Sequence, residues 1–256
     1  MRLDLYLVQK QLAFSRSHAQ ELIRANQVYQ IKNDKKIILK KSSQLVDEAQ
    51  DQIFIEAGPA NRFVSRGGLK LEGALKHCQL SVKGWNVLDV GISTGGFSDC
   101  LLQAEAGSVL GVDVGHGQLH PSLLAKKPYL QHIEGLNARE IDQDPRVKGV
   151  MPKEGFDLIV MDVSFISITL IIPQLVNLLK PEAFLLSLVK PQFEVGPEGL
   201  GKGGLVKDPR LYSVIEDKVK KLCESSGMSV KDYFNSPIEG KDGNREFFIF
   251  AQKKKA

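Results

Sequence analysis

Four charged residues stand at the ends of apolar runs, where the core has no use for them. Asp162 closes Leu158-Ile159-Val160-Met161, and Lys190 closes Leu185 to Val189 just before Pro191. Glu246 opens the last apolar run after Gly243-Asn244-Arg245, and Lys70 follows Ser65-Arg66-Gly67-Gly68 at the start of a helical pattern. A carboxylate or amine in such a place seldom serves packing. Two amines and two acids gathered together can orient a hydroxyl, handle its proton and balance a developing charge. Taken singly, each also suits a solvated strand end.

A second set of residues reads as a ligand cradle. Val87-Leu88-Asp89-Val90 is a buried strand entering the turn Gly91-Ile92-Ser93-Thr94-Gly95-Gly96, and Phe97 to Ala106 is helical. The glycines let the backbone approach a ligand, and the helix N-terminus presents N–H groups to it. Asp113 closes the next strand, Ser108 to Val114, where a carboxylate can accept both hydroxyls of a ribose. A nucleoside cofactor is the shared implication. The spacing is not the G-x-G-x-x-G of dinucleotide enzymes, and no cluster of cations awaits a pyrophosphate. That points to S-adenosylmethionine, whose sulfonium suits an acidic pocket. The expected contacts are Asp89, Gly91, Ser93, Thr94, Gly95, Gly96, Phe97, Asp113 and Asp162, with Asn137 on the adenine. The plain alternative is one of the Gly-rich turns common in α/β proteins.

These residues need a scaffold that brings strand ends together. From about residue 62 strands and helices alternate: Phe156 to Asp162 a strand, Ile168 to Leu179 a helix, Phe184 to Val189 a strand. Asp208-Pro209 then opens a helix ending near Gly227, and Val230 to Tyr233 and Glu246 to Ala251 finish as strands. Alternation on this scale predicts an α/β fold, a mainly parallel, doubly wound sheet with helices on both faces and its ligand beyond the strands' carboxyl ends. The segment Pro191 to Lys207, Gly-rich and with Phe193 near its start, is long enough to be a substrate-side lid, with a passive insertion as the alternative.

The first sixty residues are different. Leu3, Leu5, Leu7 and Leu12 mark a short helical segment, and Ser15 or Ser17 is placed to cap a second helix. On that helix Ala19, Leu22 and Ile23 form an apolar stripe, and Arg16, Gln20 and Arg24 share another face. Val28 to Ile31 and Ile37 to Leu39 read as short strands around a polar turn, Lys32 to Lys36. Residues 1–41 hold nine Lys/Arg against three Asp/Glu in a chain whose net charge is only +4. A basic block on a near-neutral body fits a polyanion-binding appendage, or a solvated face with no partner. We therefore divide the chain into residues 1–60 and 61–256.

Bulk properties exclude several classes. Cys78, Cys100 and Cys223 are scattered without paired spacing, which argues against a disulfide framework and a zinc site. The N-terminus is too charged for a signal peptide, and the longest apolar stretch, Phe165 to Leu179, is too short and polar to span a bilayer. A cytoplasmic protein with no membrane segment and no metal is expected.

The strings VSRGGLKL at 64–71, DVGISTGGFSD at 89–99, GVDVGHGQL at 111–119, FDLIVMDVSFIS at 156–167, LVKPQFEVG at 188–196 and GNREFF at 243–248 together resemble the TlyA (hemolysin A-type) family of ribosomal RNA ribose methyltransferases. RLDLYL at 2–7 and SRSHAQELI at 15–23 resemble the alpha-L RNA-binding motif. The resemblance covers nearly the whole chain. It implies a small α+β RNA-binding domain before an FtsJ-like, Rossmann-like methyltransferase domain, ribosomal RNA or ribosomal subunits as partner, and a cytidine 2′-hydroxyl as methyl acceptor. It places the family's Lys-Asp-Lys-Glu tetrad on Lys70, Asp162, Lys190 and Glu246, and RNA contacts on Arg2, Arg16, Gln20, Arg24, Lys35 and Lys36. Lys190 then either takes the proton of the 2′-hydroxyl or, staying charged, stabilises the alkoxide; a lysine at its usual pKa of about 10.4 is protonated at neutral pH. Asn26 stands where the motif usually has glycine, and Lys32 to Lys36 replace its usual Asn-Gly turn. Two rival readings are a membrane-active hemolysin and an RNA-binding protein without catalysis.

Overall fold

The computed structural model describes every residue except 11, 14, 15, 49, 50, 57, 59, 60, 239, 241–243 and 256, together with all side chains of the rest but that of residue 17. The chain divides into two compact units, Met1–Arg66 and Gly67–Ala256.

The first unit packs helices α1 (Leu3–Gln9) and α2 (Arg16–Arg24) on a three-stranded antiparallel sheet of β1 (Val28–Lys32), β2 (Lys35–Ile38) and β3 (Ile53–Ile55), ordered β2-β1-β3. Leu3, Leu7, Leu22, Ile23 and Val28 form its core. Asn26 takes φ +56° after α2, so its side chain tolerates the left-handed turn that glycine would otherwise supply. The β1–β2 turn is tighter than expected: Lys32 pairs with Lys35, leaving Asn33 and Asp34 at φ +50° and +59°. Two residues with positive φ are what a hairpin of matching twist requires. The position before α2 that Ser15 would cap lies outside the described residues.

The second unit is a seven-stranded sheet ordered β6-β5-β4-β7-β8-β10-β9. Its elements are α3 (Arg66–His77), β4 (Asn86–Val90), α4 (Gly96–Gln103), β5 (Ser108–Val112), α5 (Pro121–Leu124), β6 (Leu130–Ile133), α6 (Pro145–Val150), β7 (Phe156–Met161), α7 (Ile172–Leu175), β8 (Leu179–Val189), α8 (Arg210–Ser225), β9 (Met228–Asn235) and β10 (Phe247–Lys253). β6, β5, β4, β7 and β8 are parallel, while β10 runs antiparallel to both its neighbours. The chain lays β4, β5 and β6 outward to one side, then crosses to β7 on the other, which puts the switch point between β4 and β7. The apolar inner positions of β4, β7 and β8 (Leu88, Val90, Ile159, Met161, Leu185 and Val189) bury fully in one core.

Two expectations are corrected, and the segment after Lys190 gains detail. Ile168 to Leu179 is not one helix but a 3-10 turn (Ile168–Leu170), α7 and another 3-10 turn (Val176–Leu178). Pro173 sits in the first turn of α7, where its missing N–H restarts a helix but cannot continue one. β8 begins at Leu179, with Glu182 at φ +62° and a register shift opposite Phe156 and Leu158. The segment after Lys190 is not a bare loop. It folds into 3-10 turns Pro191–Phe193, Pro197–Gly199 and Lys202–Gly204, closed by a Leu200–Val206 bridge.

Candidate active site

The five parallel strands and the reversed β10 bring their functional residues to one edge of the sheet. Gly91, Asp113, Asp162 and Lys190 follow the carboxyl ends of β4, β5, β7 and β8. Glu246 precedes β10, but β10 is antiparallel and pairs Phe247 with Val189, so the start of this strand meets the end of β8. With the order β7-β8-β10, Lys190 lies between Asp162 and Glu246.

The four charged residues meet as two ion pairs. Lys70, on the first turns of α3, donates to Glu246 Oε2 at 2.5 Å, both side chains being nearly excluded from solvent. Lys190 Nζ lies 2.5 Å from Asp162 Oδ1, off the line of a directed hydrogen bond, and donates to Ser164 Oγ at 2.9 Å. Ser164 was not singled out from the sequence; its place two residues past Asp162 was the available signal.

The glycine turn is shaped by its close approaches. Gly91 has φ +86°, and a Cβ there would run into the carbonyl of Asp162. Gly95, at φ +92°, caps α4 against Leu119 and Leu123. Ser93 donates its N–H to Asp113 Oδ2 at 2.8 Å and its hydroxyl to Gln118 Oε1 at 3.0 Å. Asp113 Oδ1 accepts the Gly115 N–H at 2.8 Å, so each oxygen carries one backbone bond and keeps a further acceptor position. Thr94 is exposed and Gly96 is buried at the head of α4. Asp89 is fully buried beneath the turn, where Ser98 donates to its Oδ2 at 2.7 Å while Oδ1 has no hydrogen-bond partner among the described residues. Burial pushes the Asp89 carboxyl up to about 7, and the charges of Asp162 and Asp113 add to it against the Ser98 hydrogen bonds.

Two of the expected contact residues have packing or capping roles of their own. The Phe97 ring is buried and stacks toward Phe248 of β10, centroids 6.4 Å apart, so the ring belongs to the core. Asn137 is exposed, and its Oδ1 caps the 3-10 turn Ala138–Glu140 by accepting the Arg139 N–H at 3.1 Å. The Leu136 N–H donates to the Asp113 carbonyl at 2.9 Å and holds this loop beside the Asp113 carboxylate.

In the first unit, Arg2, Arg16 and Gln20 converge on Asp4 rather than projecting independently. Arg2 Nε and Nη2 donate to its two oxygens at 3.0 Å, Arg16 Nε at 2.9 Å and Gln20 Nε2 at 3.0 Å. The Arg2 hydrogen bond chiefly, then those from Gln20 and Arg16, holds the Asp4 carboxyl far below the ordinary range, against the effect of burial. Arg24 donates back to the Gln20 carbonyl at 3.2 Å. Lys36 pairs with Glu56 at 2.7 Å over the Tyr29 ring, and Lys35 is exposed.

The cleft suits S-adenosylmethionine chemically. Three carboxylates crowd one turn, one with a buried oxygen unpartnered, and a sulfonium and an ammonium would relieve them. Among the described residues no group of three His, Cys, Asp or Glu is placed to hold a metal. The strand order, the switch-point turn and this acidic floor define a Rossmann-like S-adenosylmethionine-dependent methyltransferase. Residues 63–253 match the FtsJ-like methyltransferase family. The chain is 40% identical over 248 residues to a Bacillus subtilis protein named as an rRNA methyltransferase, YqxC, covering 97% of this chain and 84% of that one. It is 37% identical over 249 residues to the 16S/23S rRNA (cytidine-2′-O)-methyltransferase TlyA of Mycobacterium tuberculosis, covering 97% and 88%. A solved Streptococcus thermophilus structure carrying a hemolysin name superposes with TM-score 0.72 at 34% identity, over 99% of this chain and 88% of that one. The chain belongs to the FtsJ-like methyltransferase family, and within it to the TlyA type. Among the described residues no helix is long and apolar enough to cross a membrane.

Proposed function

We propose that the enzyme transfers the methyl group of S-adenosylmethionine to the ribose 2′-hydroxyl of a cytidine in ribosomal RNA. The observation that carries this reading is the Asp162–Lys190 pair set beside the acidic turn, with the Lys70–Glu246 pair one strand further on. A hydroxyl is a poor nucleophile and needs alignment and charge balance more than a covalent partner. The Mycobacterium tuberculosis relative is named for cytidine 2′-O-methylation, which agrees with this chemistry.

Asp89, Asp113 and the turn from Gly91 to Gly96 would hold the cofactor, which supplies an electrophilic methyl on a cationic sulfur. Lys190, fixed by Asp162 and Ser164, is held in the manner of a charged donor. It orients the 2′-oxygen and stabilises the negative charge that develops there as the oxygen–methyl bond forms, the methyl–sulfur bond breaks and the hydroxyl proton passes to water. Lys70 and Glu246 keep the far wall charged and balanced. Phe165 stands just past Asp162, 92% exposed with φ +64°, and its ring lies 5.3 Å from that of Phe193, just past Lys190. The exposed Phe165 ring, backed by the half-buried Phe193 beside the reacting groups, offers a face on which an unpaired base can stack.

The basic first unit supplies the phosphate contacts, with Arg24, Lys35, Arg16 and Arg2 as its cations and Lys36 and Gln20 beside them. A ribosomal RNA substrate carries with it a cytoplasmic site of action. The test is incubation of ribosomal subunits and naked RNA with radiolabelled S-adenosylmethionine, followed by digestion to nucleosides. Label in 2′-O-methylcytidine with wild type and not with Lys190→Ala is the expected result. Label on a base, or none in RNA, would overturn the reading.

A further inference from the structure

Glu194 belongs to the string that ends β8 and carries Lys190, yet the chemistry above leaves it without a task. Its side chain is 1% exposed, and a carboxylate taken so far out of water must be fully partnered. Its partners lie on the neighbouring loop. Oε1 accepts the Ile168 N–H at 2.8 Å and Oε2 accepts the Ser167 hydroxyl at 2.5 Å. Lys218 of α8 closes the outer side, 3.4 Å from Oε2 and 3.2 Å from the Glu194 carbonyl.

Between Lys190 and Glu194 the backbone is stiff. The Phe193 N–H donates to the Lys190 carbonyl at 2.9 Å, and the Glu194 N–H to that of Pro191 at 3.0 Å. On the other loop, Asp162 and Ser164 are followed by Phe165 in the left-handed region at φ +64°, a conformation that a bulky residue keeps only when its surroundings impose it. The two loops are thus tied twice: Lys190 to Asp162 and Ser164 at the near end, Glu194 to Ser167 and Ile168 at the far end. The second tie holds the turn that presents the partners of Lys190.

We infer that Glu194 is a positioning residue, a buried carboxylate latch that fixes the loop after β7 against the loop after β8 and so sets Lys190 on Asp162 and Ser164. This rests on the function proposed above. It touches neither cofactor nor the reacting oxygen.

Glu194→Ala is expected to lower kcat by about 10- to 100-fold, the scale of a misplacement near 1 Å, with S-adenosylmethionine affinity by calorimetry held within about twofold of wild type. Glu194→Gln can still accept from Ile168 and donate to Ser167, so it should restore most of the rate. Ser167→Ala cuts half of the same latch without burying anything new, and serves if Glu194→Ala does not fold; a smaller fall in kcat is expected. Hydrogen exchange gives a reading independent of catalysis, with the Ile168 amide and the 163–168 segment exchanging faster in either alanine variant. Wild-type kcat in both, or a lowered kcat with unchanged exchange and no rescue by Glu194→Gln, overturns the latch. Failure of wild type itself to label RNA counts against the proposed function alone, since exchange at Ile168 still reports on Glu194.

Discussion

Lys190 Nζ contacts Asp162 Oδ1 at 2.5 Å and donates to Ser164 Oγ at 2.9 Å, although these groups follow two different strands. The contact exists because β7 and β8 are parallel neighbours, with Met161 opposite Ser187. Lys190→Ala removes the cation but none of the cofactor's cradle. The expected outcome is a fall in kcat of about 10²- to 10³-fold, as for loss of one preorganised charge-stabilising donor. Calorimetry should show S-adenosylmethionine binding nearly unchanged. A variant that loses cofactor affinity in step with kcat would make Lys190 part of the cradle instead.

Asp89 predicts an unusual pH response. Its folded carboxyl is raised to about 7 by burial first, then by its acidic neighbours. A raised carboxyl contributes stability that is complete below its unfolded value and is lost as pH climbs through the folded one. The group's contribution should therefore decline between about pH 4 and pH 8, on the order of 4 kcal/mol at most. Asp89→Asn keeps the acceptor for Ser98 without the charge. Denaturant unfolding of the ligand-free protein should show this variant gaining on wild type as pH rises, while its affinity for the cationic cofactor falls. Parallel stability curves for the two proteins would rule out the assignment.

The cations of the first unit differ in how they are held. Arg2 and Arg16 share the buried Asp4, whereas among the described residues Arg24 returns to a backbone carbonyl. Arg24→Ala should weaken RNA binding and lower the slope of log K against log salt by about 1. Asp4→Asn should instead lower thermal stability at neutral pH. The depressed Asp4 carboxyl contributes stability above the ordinary carboxylate range that is lost as pH falls toward its folded value, so the difference from wild type should shrink in acid. An unchanged melting temperature for Asp4→Asn would show that the cluster is not structural.

The legibility of this chain in its sequence follows from what each signal depends on. The glycine turn, Asp113, Asp162 and Lys190 were visible because each directly follows an apolar strand, and strand ends in a parallel sheet share an edge. The pairing of Lys70 with Glu246 was not, because it depends on β10 running antiparallel, which no local pattern reports. β3, β6 and α6 were missed, though Asp144 before Pro145 is a cap signal that was there to read; its Oδ1 accepts the Arg146 N–H at 2.8 Å. The helix expected from Ile168 to Leu179 failed on Pro173 and on a strand that starts earlier than its apolar core. The face of Arg16 and Gln20 was placed correctly, but not the buried Asp4 beneath it, since an acid near a chain start looks solvated until tertiary packing closes over it.

Lys70 and Glu246 pose the sharpest question, because a buried ion pair can serve either the fold or the chemistry. Their side chains are 11% and 4% exposed and meet at 2.5 Å. Removing one member leaves the other charged and out of water, at a cost of about 3–5 kcal/mol, whereas replacing both by apolar residues of similar size is often neutral. Lys70→Met and Glu246→Leu should each lower stability strongly in denaturant unfolding, and the double variant should recover most of it. Methyl transfer should not recover with it, because the charges beside the Asp162–Lys190 pair are then absent. A stable double variant with wild-type kcat would reduce the pair to packing and leave the reaction to Asp162 and Lys190 alone.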